Sequence, residues 1–502
     1  MTRPQRSSAK YLAFATPASP VALPGTTVSA ARWAISLSII LGSLTNSIMM
    51  GSVNVAVPTM MTHLRADVTQ IQWVLSAFMI ARTIVMPTLG WIGGLVGNRR
   101  LYLTSLSLYL VASMLCGLAW NLESLIVFRV LQGLSAGYLF PLAMTILHEL
   151  YPSGQRGMAM GIFMAGMSFG PAIGPSLGGY LVDNLSWRAV FYINVPIGLI
   201  ALVAAALTLP AGGLRQSRSL DLWGLVTMTT FIVTLLLAVS ETRTYGWGSL
   251  YVLTLLAIAA AMLVAFVWVE LTRDTPLVNL QIFASVPFVL SSLVTFFESC
   301  TNFAMSLIIA LFLQNGLGLS AREAGELMLP AALVWGLTSL GSGRLSDKID
   351  SRWLILTGSL AHAMVLVFFL GLKPQSSAIA IAGLMVMRSI TRGLIQSPIV
   401  TLNMATLPDQ QVRLGAGLRG LVNSLGATFG SALAGFFLQQ RLAVWTAFFQ
   451  GHPLLAPVAQ LSEHWIAQQV TTRACHDMFL CIAVAVVATA IPVLWLRTRR
   501  AT

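Results

Sequence analysis

The chain is short of charge and nearly without lysine. Of its 502 residues only 9% are charged, and the lysines are Lys10, Lys348 and Lys373. A soluble globular chain carries about 25% charged residues, so this one cannot cover a water-facing surface. None of the three lysines follows a glycine. The phosphate-cradling G-x-x-x-x-G-K-[S/T] loop of an ATP-driven pump is therefore not encoded. Cys116, Cys300, Cys475 and Cys481 lack metal-ligand spacing and mostly lie in or beside apolar runs. They read as small buried hydrophobes, and neither a metal nor a cofactor is expected.

What the chain has instead is apolar length. Hydrophobic residues make up 56% and mean hydropathy is +0.81. The runs are roughly 20 residues long, enough to cross a bilayer core of about 30 Å. In hydrocarbon every backbone N–H and C=O must be paired within its own segment, so unalternated runs of this length are helices. Fourteen spans are expected, from Trp33–Val57 through Leu414–Leu438 to Met478–Leu496. The fold class is an all-α polytopic membrane protein.

The net charge of +13 is topological and does not point to nucleic acid. Of the 29 basic residues, seven (Arg65, Arg188, Arg243, Arg322, Lys373, Arg441 and Arg473) fall in the outer connections. Five lie inside spans and the other 17 lie in inner segments, including Arg99 and Arg100. The positive-inside rule then places both termini in the cytoplasm.

The chain also repeats itself. Gly90-Trp91-Ile92-Gly93-Gly94-Leu95-Val96-Gly97-Asn98-Arg99-Arg100 follows span two, and Gly343-Arg344-Leu345-Ser346-Asp347-Lys348 follows span ten. The expected organisation is a disordered cytoplasmic tail (1–32), a six-helix half (33–215), an inserted helix pair (216–275) and a second six-helix half (276–502). An outer segment at 440–476 is amphipathic and is expected to add a helix at the outer mouth. Repeated halves are the usual build of secondary transporters, with the substrate site near the midplane between them.

Several motifs make the resemblance specific. Val53-Asn54-Val55-Ala56-Val57-Pro58 closes span one, and Arg129-Val130-Leu131-Gln132-Gly133 lies in span four. Span five carries Gly166, Gly170-Pro171, Gly174-Pro175 and Gly178-Gly179, a G-x-x-x-G-P-x-x-G-P-x-x-G-G pattern. Together they resemble the major facilitator superfamily, in its fourteen-helix drug:proton antiporter branch of EmrB- and QacA-type multidrug exporters. The resemblance implies alternating access, proton exchange and a bacterial inner membrane. In a Gram-negative host it also implies a periplasmic adaptor and an outer-membrane duct. It further implies an acid in span one, but Met49 stands there, and Gly94-Leu95 replaces the usual Asp-Arg after span two. The span-five glycines, at i and i+4, are expected to give a smooth helix surface for rocking.

A rival reading is an intramembrane enzyme. Gly133–Gly137 and Gly166–Gly170 both fit G-x-S-x-G, with His362 as a conceivable base. A nucleophile elbow needs a strand, a turn and a helix, which these spans do not offer. A channel or lipid scramblase is a further alternative, separated by gradient dependence.

Ionisable groups at membrane depth mark function. Arg82, Glu298 and Arg388 each lie about 14–15 Å into their spans at 1.5 Å per residue, with Arg392 one turn beyond Arg388. Arg129 and Arg419 lie nearer the span ends. With Asn302, these five arginines are the candidate substrate-binding set, and Glu298 is the candidate proton carrier. Five arginines against one acid favour an anionic, amphipathic substrate. The alternative is an exporter of one endogenous anionic metabolite or lipid. The candidate conformational residues are Gly90, Gly97, Arg99, Arg100, Gln132, Gly133, Gly166, Gly170, Pro171, Gly174, Pro175 and Asp347.

Overall fold

A computed structural model describes residues 28–210, 221–273, 276–319, 321–373, 375–405, 407–408, 411–451 and 463–495. The tail basics Arg3, Arg6 and Lys10, and the connection basics Arg215 and Arg218, lie outside the described residues.

Among the described residues, fourteen helices are long and apolar enough to cross a membrane. They are α1 (Ala30–Leu64), α2 (Gln70–Val96), α3 (Asn98–Gly117), α4 (Leu122–Leu150), α5 (Ser153–Asn184), α6 (Ala189–Thr208) and α7 (Leu222–Thr242). The second seven are α8 (Leu250–Thr272), α9 (Val286–Gly316), α10 (Glu323–Ser346), α11 (Ser351–Gly371), α12 (Ala378–Ala405), α13 (Val412–Gln450) and α14 (Ile466–Trp495). An even number of crossings puts the start of α1 and the end of α14 on one face, called here the terminal side. The opposite face is the far side.

Helix ends follow local chemistry. Asp67 caps the helix leading into α2, its Oδ1 accepting from Gln70 N at 2.7 Å while Gln70 Oε1 accepts from Asp67 N at 3.1 Å. Asn121 and Ser124 form the same reciprocal box ahead of α4. Such boxes satisfy N–H groups that the helix itself leaves unpaired. Gly97 turns the chain from α2 into α3 at φ +86°, a conformation that a side chain resists.

The internal repeat is visible in the packing. Within α1–α6, α1 packs on α5 and α6, α4 on α2 and α3, and α3 on α6. Within α9–α14 the same pairs recur: α9 on α13 and α14, α12 on α10 and α11, α11 on α14. The pair α7–α8 packs on itself, and α7 rests on both α2 of the first repeat and α13 of the second, along the outer edge of their seam. Glu298, on α9, therefore occupies the repeat counterpart of α1.

The apolar cores show which side is closed. On the far side each half has its own core: Met49, Val53, Trp187 and Phe191 in the first, and Ile308, Phe312, Phe369 and Phe479 in the second. On the terminal side one core is shared, with Val400, Met404, Val412 and Ala416 packed among Leu142, Met144 and Phe163. The halves are joined on the terminal side and separately cored on the far side.

Two expectations change. The segment 440–476 is helical at both ends, because α13 continues and the last helix starts at Glu463. The extensions are zipped by Asp477, whose Oδ2 accepts from Trp445 Nε1 at 2.8 Å and pairs with Arg441 at 3.4 Å. Trp465's side chain and residues 452–462 lie outside the described residues. The span-five glycines do not face the other half. A Cβ at Gly174 would meet Ile48 O at 2.8 Å and one at Gly178 would meet Ser52 Cα at 2.6 Å, both on α1. Spacing of four puts these glycines on one face, and that face is taken by α1, where Ser52 Oγ donates to Gly174 O at 2.7 Å.

Candidate functional site

Where the halves meet, α5 and α10 touch through other glycines. A Cβ at Gly161 would lie 2.7 Å from Ser339 O, and one at Gly343 would lie 2.8 Å from Gly161 Cα. Just beyond, Asp347 reaches across to the start of the α5 helix. Its Oδ1 accepts from Gly157 N at 2.7 Å and its Oδ2 from Met158 N at 2.8 Å. These are first-turn amides with no partner inside their own helix, at its positive end. Asp347 is thus an N-cap supplied by the other half, and it works only while the terminal side is shut.

The first-half copy of this turn lacks an acid, and a different contact fills the place. Arg413 of α13 approaches Glu149 at the end of α4 (Nε to Oε1, 3.6 Å), and Glu149 Oε2 accepts from Asn98 Nδ2 at 2.7 Å. Gly90 lets α13 approach closely there, since a Cβ would meet Leu414 Cβ at 3.2 Å and Cα at 3.3 Å. Arg99 donates to Ala206 O at 2.6 Å and ties α3 to α6, while Arg100 is exposed.

Replacing Asp347 by Ala should unlatch the terminal side. Losing a cap costs about 0.5–2 kcal/mol, roughly a two- to thirtyfold fall in the ratio of closed to open protein. Distance distributions between spin labels at the terminal ends of α5 and α10 would show it. An unchanged distribution would mean that Asp347 is no latch.

The five span arginines divide sharply. Arg129 is only 2% exposed and turned into the first half. Its Nε donates to Val74 O at 2.9 Å, its Nη1 to Gln132 Oε1 at 2.7 Å, and its guanidinium lies 4.1 Å from the Phe78 ring centroid. Gln132 Nε2 passes the chain on to Ser113 Oγ at 2.7 Å, so α2, α3 and α4 are pinned together. Gly133 lets α2 approach, since a Cβ would lie 2.9 Å from Ala81 Cβ. Arg129 is therefore a framework residue and leaves the binding set. Arg129→Met should take the guanidinium donor from Gln132 Oε1, unpin α2 from α4 and lower stability by about 2 kcal/mol or more, read as a lower melting temperature in detergent. Folded material should bind substrate normally; a loss of affinity without a loss of stability would restore Arg129 to the site.

Arg419 is equally buried, at 2%, with Nη1 3.6 Å from Met144 Sδ. Its Nε is unpartnered like that of Arg82 and its charge acts on Glu298, but it is walled into the seam between α13 and α4 on the closed side, away from the open face in this conformation.

Arg82, Arg388, Arg392 and Glu298 remain. Glu298 is 12% exposed by side chain, and Arg392 Nε lies 3.8 Å from its Oε1. The Gln396 amide, with nitrogen toward the carboxylate, donates to Oε1 at 2.8 Å and Oε2 at 3.2 Å. The Arg392 guanidinium also lies 4.3 Å from the Trp335 ring centroid, a cation–π contact that holds it between α10 and α9. Arg388, one turn away on α12, is 9% exposed with its Nε unpartnered. Arg82 on α2 has an unpartnered Nε and its Nη1 3.5 Å from Met50 Sδ, a weak acceptor. Asn302 lies one turn beyond Glu298 with its Oδ1 unpartnered among the described residues, and lines a small cavity together with Glu298 and Arg392. Met49 is buried in the first-half core and its Sδ accepts from Asn194 Nδ2 at 3.2 Å, a packing position.

Sequence reasoning missed Gln396, Trp335, and the Glu149–Arg413 pair. Gln396 was findable, because i+4 from Arg392 on one helix face is where a second partner of Glu298 belongs. Trp335 carries no sequence signal of its role.

Two six-helix repeats around charges at membrane depth define a multi-pass membrane transporter of small molecules. Comparison with known proteins agrees. The model of the Major Facilitator Superfamily matches residues 39–431, and the chain belongs to that family. It is 32% identical over 391 residues to the multidrug transporter protein MdtP of Bacillus subtilis, covering 78% of this chain and 72% of that one. It is 28% identical over 439 residues to the multidrug export protein EmrB of Escherichia coli, covering 84% and 86% respectively. Among solved structures it shares its fold with the human organic anion transporter MFSD10, with TM-score 0.58, 13% identity, and 92% of this chain and all of that one covered.

Proposed function

We propose that the chain is a multidrug-type exporter of amphipathic anions that works by alternating access and exchanges substrate for protons. The observation that carries the reading is the charge count at membrane depth: Arg82, Arg388 and Arg392 against Glu298 alone. A buried cation without a counterion is costly and marks a ligand of opposite sign. The relatives named as multidrug exporters support the direction and the breadth of substrate. With the terminal side cytoplasmic, as the basic residues imply, the shared terminal core makes this the outward-facing conformation. Asp347, the Gly157/Gly343 contact and the Arg413–Glu149 pair are its gate.

Exchange places a condition on the arginines. An anion that bound the same arginine as Glu298 would free the carboxylate to take a proton, and the two would travel together. Exchange therefore needs Arg392 and Gln396 to hold Glu298 while Arg82 and Arg388 hold the anion. The second six-helix half (276–502) carries Glu298, Arg388, Arg392 and Gln396, the first (33–215) contributes Arg82, and the inserted pair (216–275) stays peripheral. The zipped extensions of α13 and α14 are the natural seat for a periplasmic adaptor leading to an outer-membrane duct. The test is efflux from proteoliposomes under an imposed proton gradient, screened across anionic and cationic amphiphiles. Anions should be pumped; transport of lipophilic cations alone would reject the reading.

A further inference from the structure

Beside Glu298 the second half holds a small, partly open cavity. Val294, Glu298 and Asn302 of α9 line it, with Ser359 and His362 of α11, and Arg392 and Thr489 from α12 and α14. It has room for about one water molecule. Two of its polar atoms, Ser359 Oγ and Asn302 Oδ1, are buried with no hydrogen-bond partner among the described residues, and Arg392 Nε has its 3.8 Å ion pair with Glu298. A small space rimmed by unsatisfied polar atoms is one that water fills.

His362 is the titratable group on the far wall of this space, and the transport reading leaves it without a task. Its ring Nδ1 lies 2.9 Å from Thr391 Oγ1. The Thr391 hydroxyl is itself directed at Arg388 O, 2.8 Å away. With its proton given to that carbonyl, Thr391 can only accept from Nδ1, so the neutral ring carries its hydrogen on Nδ1 and keeps a lone pair on Nε2. The charged groups facing His362 are Arg388 and Arg392 from α12 and Glu298 from α9; α14 presents Val486 and Thr489, which do not titrate.

We propose that this space is a water-holding proton compartment and that His362 shares one proton with Glu298 through it. The step balances simply. The Glu298 carboxyl O–H gives its proton to the bridging water, the water gives one of its own to His362 Nε2, and a carboxylate and an imidazolium remain. The two arginines oppose the imidazolium and the new carboxylate favours it, so His362 takes the proton only as Glu298 gives it up. Val294 and Ser359 lie one turn to the terminal side of Glu298 and His362, and Asn302 lies one turn to the far side of Glu298. The compartment is therefore level with the carrier at membrane depth, where a proton leaving Glu298 is kept between the two sides.

The inference rests on Glu298 as the proton site, and its tests separate the two. Full-length protein in proteoliposomes, with an internal pH dye, clamped potential and a fluorescent amphipathic carboxylate as probe, reports probe-driven proton flux. His362→Gln, which keeps a bond to Thr391, and His362→Phe should each lower that flux about tenfold or more while probe–probe counterflow stays within about twofold. Normal flux in both variants, or an equal fall in counterflow, overturns the proposal. Loss of flux in Glu298→Gln together with normal flux in both His362 variants sinks His362 alone; normal flux in Glu298→Gln sinks the carrier reading. Nitrogen-15 spectra of the histidine rings, with His362 assigned by its Gln variant, need no transport. The His362 signals should titrate in the parent and change in Glu298→Gln, and identical signals in the two proteins also overturn it.

Discussion

Glu298→Gln should abolish proton-driven uphill efflux and leave substrate binding and counterflow exchange intact. Coupling needs a group that gains and loses a proton within reach of the cavity, and Glu298 is the acid that lies deep in a span among the arginines. Glutamine keeps the size and one acceptor, so Arg392 and Gln396 retain a partner while the titration is lost. The energy at stake is sufficient, because one charge moved through 100 mV is worth about 2.3 kcal/mol. The rival reading makes Glu298 a permanently ionised counterion of Arg392. That role predicts a different signature: melting temperature and binding fall together, since an arginine at membrane depth loses its charge partner. Uphill pumping at the normal rate by the Gln variant would exclude Glu298 as carrier.

The fold was legible because the bilayer leaves the chain little choice. Runs such as Leu250–Thr272 can only be helices, and a charge placed inside one is conspicuous. Glu298, Arg388 and Arg392 were found that way. The same logic could not say which way each arginine turns. Arg129 and Arg82 both sit in apolar helices, yet Arg129 has Val74 O, Gln132 and Phe78 for partners and Arg82 has a methionine sulfur. That difference is made by neighbouring helices, which sequence periodicity does not name. The glycine stripe on α5 failed for the same reason: spacing of four fixes a close-packing face, and only the structure shows that α1 fills it. Asp347 lies between these cases. Its place in a repeated turn was readable, whereas its partners, the Gly157 and Met158 amides, are about 190 residues earlier in the chain.

Arg82→Met and Arg388→Met should raise the stability of the empty protein while destroying anion transport. Arg388 is buried and Arg82 half-buried, each with an unpartnered Nε, and Arg82 has only the Met50 sulfur in hydrogen-bonding range among the described residues. Replacing an uncompensated buried cation with an apolar group of similar length removes a desolvation cost. The melting temperature should therefore rise, opposite in sign to Arg129→Met. Binding should move the other way. A charge-assisted hydrogen bond to a carboxylate is worth about 1.5–3 kcal/mol, so each variant should weaken anion affinity roughly ten- to 150-fold. Lysine at either position should recover only part of that loss, because it offers a point charge in place of a planar two-donor fork. Efflux of a matched amphipathic cation should hold or increase as the local positive field falls. Thermal unfolding and a probe titration on the same samples read both quantities. If affinity and stability fall together, these arginines are framework like Arg129, and the anion must bind elsewhere.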